Sequence, residues 1–159
     1  LIGDLLIVSS ENGLKQINFC NPKSQFTIAD AWIKDSYKLR IVTEQLNEYF
    51  NKTLSEFELD LAPDGTAFQK QIWKQLQKIP YGETKSYLDI ANAIGKPNAC
   101  RAVGMANSSN PIPIIIPCHR VIGKNRKLTG YAGGLEIKAK LLELENISLS
   151  PNTKQYQLF

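Results

Sequence analysis

The sequence predicts an α+β protein in two parts: residues 1–62, a scaffold with a small antiparallel sheet and a helix, and residues 63–159, a mostly helical part suited to a helix-turn-helix. Three observations predict it. Short apolar runs flank Asn12-Gly13, helical periodicity recurs after residue 66, and composition changes at Ala62-Pro63-Asp64-Gly65. The charge changes sign there too. Residues 1–62 hold 6 Lys and Arg against 9 Asp and Glu, net −3, whereas residues 63–159 hold 13 against 6, net +7. Such asymmetry suits a second part that faces a polyanion, although charge alone favours ordinary surface charge.

Leu5-Leu6-Ile7-Val8 and Leu14 to Phe19 read as the two strands of a hairpin, because Asn-Gly supplies the positive φ of a tight turn. Leu39, Val42, Leu46, Tyr49 and Phe50 recur at helical spacing, and Phe57, Leu59 and Leu61 alternate as one face of a strand. No catalytic constellation stands out here. Beyond the boundary, Thr66 and Gln69 form a capping box for a helix that lines Phe68, Ile72, Leu76 and Ile79 on one face. Pro80-Tyr81-Gly82 stops it. Ser86 and Asp89 start a second helix, with Leu88, Ala91 and Ile94 inward and Gly95 at its end; Pro97 suits the first turn of a third, from Asn98 to Ala106. These two short helices fit either a helix-turn-helix or a plain helical hairpin, and the pattern alone favours the hairpin. The small residues Ala99, Ala102, Gly104 and Ala106 suit close approach to a groove or tight helix packing. The prolines of Asn110 to Pro117 exclude regular helix and predict a stiff, extended, apolar segment that holds Cys118-His119-Arg120 in a buried place. A last helix, about Leu135 to Asn146, buries Ile137, Leu141 and Leu144 and pairs Glu136 with Lys140 outside. The tail after Ser150 is polar and expected to be loose.

An apolar content of 43% with 21% charged residues is that of a globular protein, which excludes disordered and collagen-like classes. No apolar run is long enough for a membrane span, and the opening Leu1-Ile2-Gly3-Asp4 does not read as a signal peptide. The chain lacks an initiator Met and reads as a trimmed fragment. Three widely spaced cysteines, Cys20, Cys100 and Cys118, disfavour a disulfide framework, and with a single His and no CxxC pair no metal is expected.

A cysteine is a useful nucleophile only as thiolate, so it needs a base or positive surroundings. Cys118 stands beside the chain's only His, whereas Cys20 and Cys100 have no such neighbour and read as inert. Adjacent side chains seldom meet in hydrogen-bond geometry. His119 would therefore act through a bridging water, with a carboxylate, for which Glu145 is a candidate, orienting its other nitrogen.

The segment Asn110 to Val121, with its Ile-Pro-Cys-His-Arg-Val core, resembles the active-site signature of the O6-alkylguanine-DNA alkyltransferases, the methylated-DNA-protein-cysteine methyltransferases. The similarity runs from Phe68 through Ile79-Pro80-Tyr81-Gly82, Ser86-Tyr87, Arg101-Ala102-Val103-Gly104 and Gly130-Tyr131-Ala132-Gly133-Gly134 to Leu141-Leu142-Glu143-Leu144-Glu145. The acidic first part resembles the family's variable N-terminal domain only in order of elements. The resemblance implies a ribonuclease H-like N-terminal domain, a winged-helix-like C-terminal domain, and single-turnover transfer of an alkyl group from O6-alkylguanine in double-stranded DNA to Cys118. O4-alkylthymine is an open second substrate.

The resemblance also implies roles by residue. His119 is the water-mediated base, Glu145 its orienting carboxylate, and Asn110 a member of the same hydrogen-bond network that braces the helix-turn-helix against the site. Arg101 is the finger that enters the base stack from the minor groove, and the small Ala99, Ala102 and Gly104 lie along the DNA face. Tyr87 helps rotate the target phosphate and donates to guanine N3. Tyr131, the amide of Ala132, Gly133 and the carbonyls of Cys118 and Val121 form the base pocket. A flipped base is physically required, because the O6 substituent is hidden inside the duplex. No cofactor and no membrane are implied, a monomer is expected, and the location would be bacterial cytoplasm or eukaryotic nucleus. One departure stands out: where the family often has a second glycine after Arg-Ala-Val-Gly this chain has Met105, expected to alter packing behind the recognition helix or its distance from DNA. Two other classes compete. A non-catalytic damage binder would bind alkylated DNA without transfer, and a Cys-His-Glu hydrolase would turn over without DNA and leave Arg101 and the basic half unexplained.

Overall fold

The computed structural model describes residues 1–22, 24 and 26–149; the tail expected to be loose lies outside them. Strands β1 (Leu5–Ser10) and β2 (Gly13–Phe19) pair antiparallel, with Leu5 opposite Phe19 and Ser10 opposite Gly13. Gly13 has a positive φ of 131°, and a Cβ there would lie 2.4 Å from the Asp60 carbonyl oxygen. Only glycine fits this crossing. The crossing strand predicted at Phe57 to Leu61 is reduced to one parallel bridge, Leu14 to Leu61, in which Leu14 N–H donates to Asp60 O at 2.8 Å and Ala62 N–H to Leu14 O at 2.8 Å. Its alternation still serves the core, since Phe57, Leu59 and Leu61 pack against it. Helix α1 (Arg40–Phe50) buries Val42, Leu46 and Tyr49, and Gln45 ties it to residue 58 by two side-chain to backbone hydrogen bonds.

The second part begins with α2 (Ala67–Leu76), whose Thr66–Gln69 capping box forms as the sequence requires. Trp73 Nε1 donates to Ala106 O at 2.8 Å and so fixes α2 against the later helix α4. A two-residue strand β3 (Lys85–Ser86) leads into α3 (Tyr87–Ala93), capped by Ser86 and Asp89, and Gly95 ends the turn at φ +70°. Helix α4 runs Cys100–Ser108, not from Asn98: residues 97–98 form a turn closed by Ala99 N–H to Lys96 O at 2.9 Å, and Ala99 is the N-cap. A 3-10 turn (Cys118–Arg120), strand β4 (Val121–Ile122) and α5 (Leu135–Leu144) are the last elements among the described residues. Strands β3 and β4 pair in parallel, Lys85 with Val121 and Ser86 with Ile122, a pairing that no sequence pattern announces. Two-residue strands carry no readable period.

Residues 110–117 are not extended. Ile116 N–H donates to Ile112 O at 2.9 Å, and Ile114 sits at φ 76°, a region β-branched residues avoid. An extended path would turn alternate isoleucines to solvent, whereas this turn leaves all of Ile112, Ile114, Ile115 and Ile116 buried. Burial of four isoleucines, each worth about 1.5–3 kcal/mol, outweighs a strained φ that costs about 1–3 kcal/mol. The main core is continuous across both parts, joining Leu14, Ile17 and Tyr49 to Ile72, Ile114, Cys118 and Leu141. Ile17 N–H also donates to Pro111 O at 2.9 Å, so the first sheet touches the segment that carries Cys118.

Candidate active site

Cys118, His119 and Arg120 occupy the 3-10 turn, and all three are buried. Glu145 is the C-cap of α5, 2% exposed. His119 Nε2 lies 2.7 Å from Glu145 Oε1. A carboxylate can only accept, so Nε2 carries the proton and Nδ1 presents a lone pair. That Nδ1 is buried with no protein hydrogen-bond partner, the arrangement a bridging water to the thiol requires. Asn110 Nδ2 donates to Ile116 O at 2.8 Å while its Oδ1 accepts from Ile112 N–H at 3.0 Å, closing the turn that precedes Cys118.

Sequence reasoning missed four side chains at this centre. Arg120 forks onto Glu145, with Nε 2.9 Å from Oε2 and Nη2 3.0 Å from Oε1, and its Nη1 donates to Ile79 O at 2.6 Å. Tyr49, from the part read as a scaffold, donates from its hydroxyl to Glu145 Oε1 at 2.7 Å. Lys138 is wholly buried and donates from Nζ to Val121 O at 2.7 Å and to Thr129 O at 2.8 Å. Asn107 Nδ2 donates to Cys118 O at 3.4 Å. Lys138 stands where helix periodicity demands an apolar residue, a signal that could have marked it. Tyr49 gave none, because an aromatic at a core position of a helix looks like packing.

Electrostatics follow from burial and pairing. Burial would raise the Glu145 carboxyl, but the hydrogen bonds from His119 and Arg120 and the Arg120 charge outweigh it and bring it down to about 2. Burial lowers His119, against the pull of Glu145, which keeps the imidazole neutral and able to accept a proton. Burial pushes the Cys118 thiol up, partly offset by Asn110 and by the Lys138 charge. The thiol is therefore shielded at rest, and a base must take its proton. Burial brings Lys138 itself down to about 8. The Tyr131 hydroxyl is buried without a partner of standard geometry, and burial followed by the adjacent Cys118 pushes its ionisation well up.

The remaining expected residues fall into two groups. Tyr87, the first residue of α3, accepts a hydrogen bond from Thr129 Oγ1 at 2.9 Å, which leaves its own proton to donate. It lines an open groove with Arg101, Gly104, Met105, Ser108 and Gly130. Arg101, Ala102, Met105 and Ser108 form the exposed face of α4, whereas Ala106 is spent on packing and Ala99 stands half-buried at the cap. Gly104 faces the Tyr87 ring, where a Cβ would sit at an ordinary 3.8 Å. Met105 is 70% exposed, so it stands on the outer face and not behind the helix. Near the thiol, Gly133 is required, since a Cβ there would come within 2.8 Å of the Phe19 ring and 3.1 Å of Tyr131. Val121 is buried with its carbonyl already on Lys138, and Ala132 is exposed. Among the described residues no three His, Cys, Asp or Glu side chains converge as a metal site, and no helix is long and apolar enough to cross a membrane.

A buried cysteine directly after a strained turn, a neutral histidine held by a carboxylate, and an open groove beside an exposed arginine are the parts of a nucleophilic active site. Residues 67–147 match the DNA binding domain of 6-O-methylguanine DNA methyltransferase, and residues 1–63 match the ribonuclease-like domain of the same family. The chain is 52% identical to the methylated-DNA--protein-cysteine methyltransferase of Methanosarcina acetivorans, over 91% of this chain and 92% of that protein. It is 45% identical to the constitutive enzyme of that name from Bacillus subtilis, over 92% of each. Its fold is similar to that of Mycobacterium tuberculosis OGT, solved in complex with DNA, with a TM-score of 0.83 and 47% identity over 91% of this chain and 87% of that one. The chain belongs to the 6-O-methylguanine DNA methyltransferase family.

Proposed function

We propose that this chain repairs DNA by moving the alkyl group of O6-alkylguanine, in a duplex and once per molecule, onto Cys118. The observation that carries the reading is the pairing of Cys118 with a His119 whose Nε2 is taken by Glu145 and whose Nδ1 is free. In the proposed step the thiol proton passes through a water to Nδ1. The thiolate attacks the alkyl carbon, the bond from that carbon to O6 breaks, and its electron pair stays on guanine. Tyr87 donates toward N3 as negative charge develops on the ring. Oriented donors of this kind are worth about 2.7–4 kcal/mol each. The product thioether has no carbonyl for water to attack, so the protein is spent.

Arg101 is proposed to fill the stack when the target nucleotide leaves it, with Ala102 and Gly104 against the minor groove and Ala99 at the helix entry. Tyr131, Ala132, Gly133 and the carbonyls of Cys118 and Val121 are proposed to hold the extruded base. Asn107 and Lys138 already donate to those two carbonyls, and each oxygen keeps a second lone pair for the exocyclic amine. The finer assignments, a ribonuclease H-like first domain over 1–62, a winged-helix-like second domain over 63–159 and action as a monomer in cytoplasm or nucleus, belong to the same reading. A Cys118→Ser protein tests it: we expect unchanged affinity for O6-methylguanine duplex and no transfer. Transfer by that variant contradicts the proposal.

A further inference from the structure

We propose that Tyr49, from the first part of the chain, is a positioning residue for alkyl transfer: its hydroxyl locks Glu145 Oε1 in line with His119 Nε2 and limits how strongly the carboxylate draws a proton onto His119. The proposal rests on the alkyl-transfer reading above.

Tyr49 is on the inner face of α1 and 0% exposed. Its ring is held by Phe50, Phe57 and Tyr81, with centroids 5.3, 5.4 and 6.1 Å away. Packing therefore fixes the direction of the hydroxyl before any partner is considered. A buried phenol needs an acceptor, and this one takes Glu145 Oε1 at 2.7 Å, across 96 residues of sequence. The same oxygen receives His119 Nε2 at 2.7 Å and Arg120 Nη2 at 3.0 Å. Oε2 receives Arg120 Nε at 2.9 Å and Gly82 N–H at 3.2 Å. Every lone pair of the carboxylate is engaged, so it cannot rotate away from the imidazole.

The second consequence is electrostatic. A bare buried carboxylate would favour imidazolium strongly; one that shares its charge with Arg120 and Tyr49 favours it less, leaving His119 neutral before the thiol gives up its proton. The other ionisable groups facing this centre are Tyr81 after α2, Cys118 on the 3-10 turn, Lys138 of α5 and Tyr131 before it. Of all these, Tyr49 alone comes from the first part. Burial and the adjacent Glu145 push its own ionisation up, so it remains a donor.

The chain has one His, so imidazole resonances report this site without assignment by mutation. We compare His119 titration by NMR in the wild type and in Tyr49→Phe, together with the first-order transfer constant at saturating O6-methylguanine DNA and the Kd for that DNA. Loss of the hydroxyl should raise the His119 midpoint by about half to one pH unit, each unit being about 1.36 kcal/mol. The transfer constant should fall about three- to tenfold with its acid limb displaced upward, while Kd stays constant. A folded Tyr49→Phe with unmoved midpoint and rate constant overturns the proposal. Should that variant not fold, 3-fluorotyrosine placed at position 49 keeps ring and hydroxyl but strengthens the donor, and the midpoint should move down; no movement overturns the proposal equally. A wild type that transfers nothing contradicts the function itself, whereas a normal wild type beside an unchanged variant contradicts Tyr49 alone.

Discussion

At the scale of single residues, the centre of this protein is a buried carboxylate, Glu145, held by Tyr49, His119 and Arg120. Glu145 is brought down to about 2, below the ordinary glutamate value of about 4.3, so it stabilises the fold fully above that unfolded value and loses its contribution as pH falls toward 2. His119, lowered by burial, acts in the same direction, because the unfolded chain binds its proton first on acidification. We expect thermal stability to fall steeply between about pH 6.5 and 2. Glu145→Gln should flatten the acid end of that profile and cost about 3–5 kcal/mol at neutral pH, since Arg120 is left buried and unpaired. Calorimetry across pH checks both. The Cys-His pair was legible because the two residues are adjacent in a distinctive segment. Arg120 stood in the same segment without an evident duty, and its role appears only where Ile79 and Glu145 converge on it.

Elements set the precision of the site. The Ser86–Asp89 capping box fixes the start of α3 and therefore Tyr87, its first residue. Ser86→Ala should cost about 1 kcal/mol of stability, read by denaturant unfolding, and slow transfer through a looser Tyr87. Gly133→Ala pushes against Phe19 and Tyr131, and we expect transfer to slow while DNA affinity is retained; an unchanged rate would show that the Tyr131 ring can shift at no cost. Capping boxes and helix faces were readable because they follow local rules. The turn at 110–117, the β3–β4 pairing and the start of α4 were not, because each is decided by distant partners: burial of the isoleucines, two backbone segments 36 residues apart, and a turn closed after Gly95. Met105 belongs to this scale as well. It stands on the outer face of α4 and lines the groove with Arg101, so the reading that it alters packing behind the helix does not hold.

The whole molecule joins an acidic part to a basic one through a shared core, and the two contribute to one site: Tyr49 and Phe19 from the first, the nucleophile and the groove from the second. The charge step at residues 62–63 predicts that affinity for duplex DNA falls with salt, and a Lys or Arg on the exposed face that contacts phosphate should reduce the log–log slope by about 0.9 when removed. If Arg101 fills the opened stack as proposed, Arg101→Ala should slow repair of duplex DNA far more than reaction with a free alkylated base. The central claim is transfer to Cys118, and mass spectrometry of the intact protein with peptide mapping, after incubation with excess O6-methylguanine duplex, tests it most directly. The account predicts one methyl per molecule, on Cys118; no gain, or a methyl on Cys20 or Cys100, would contradict it.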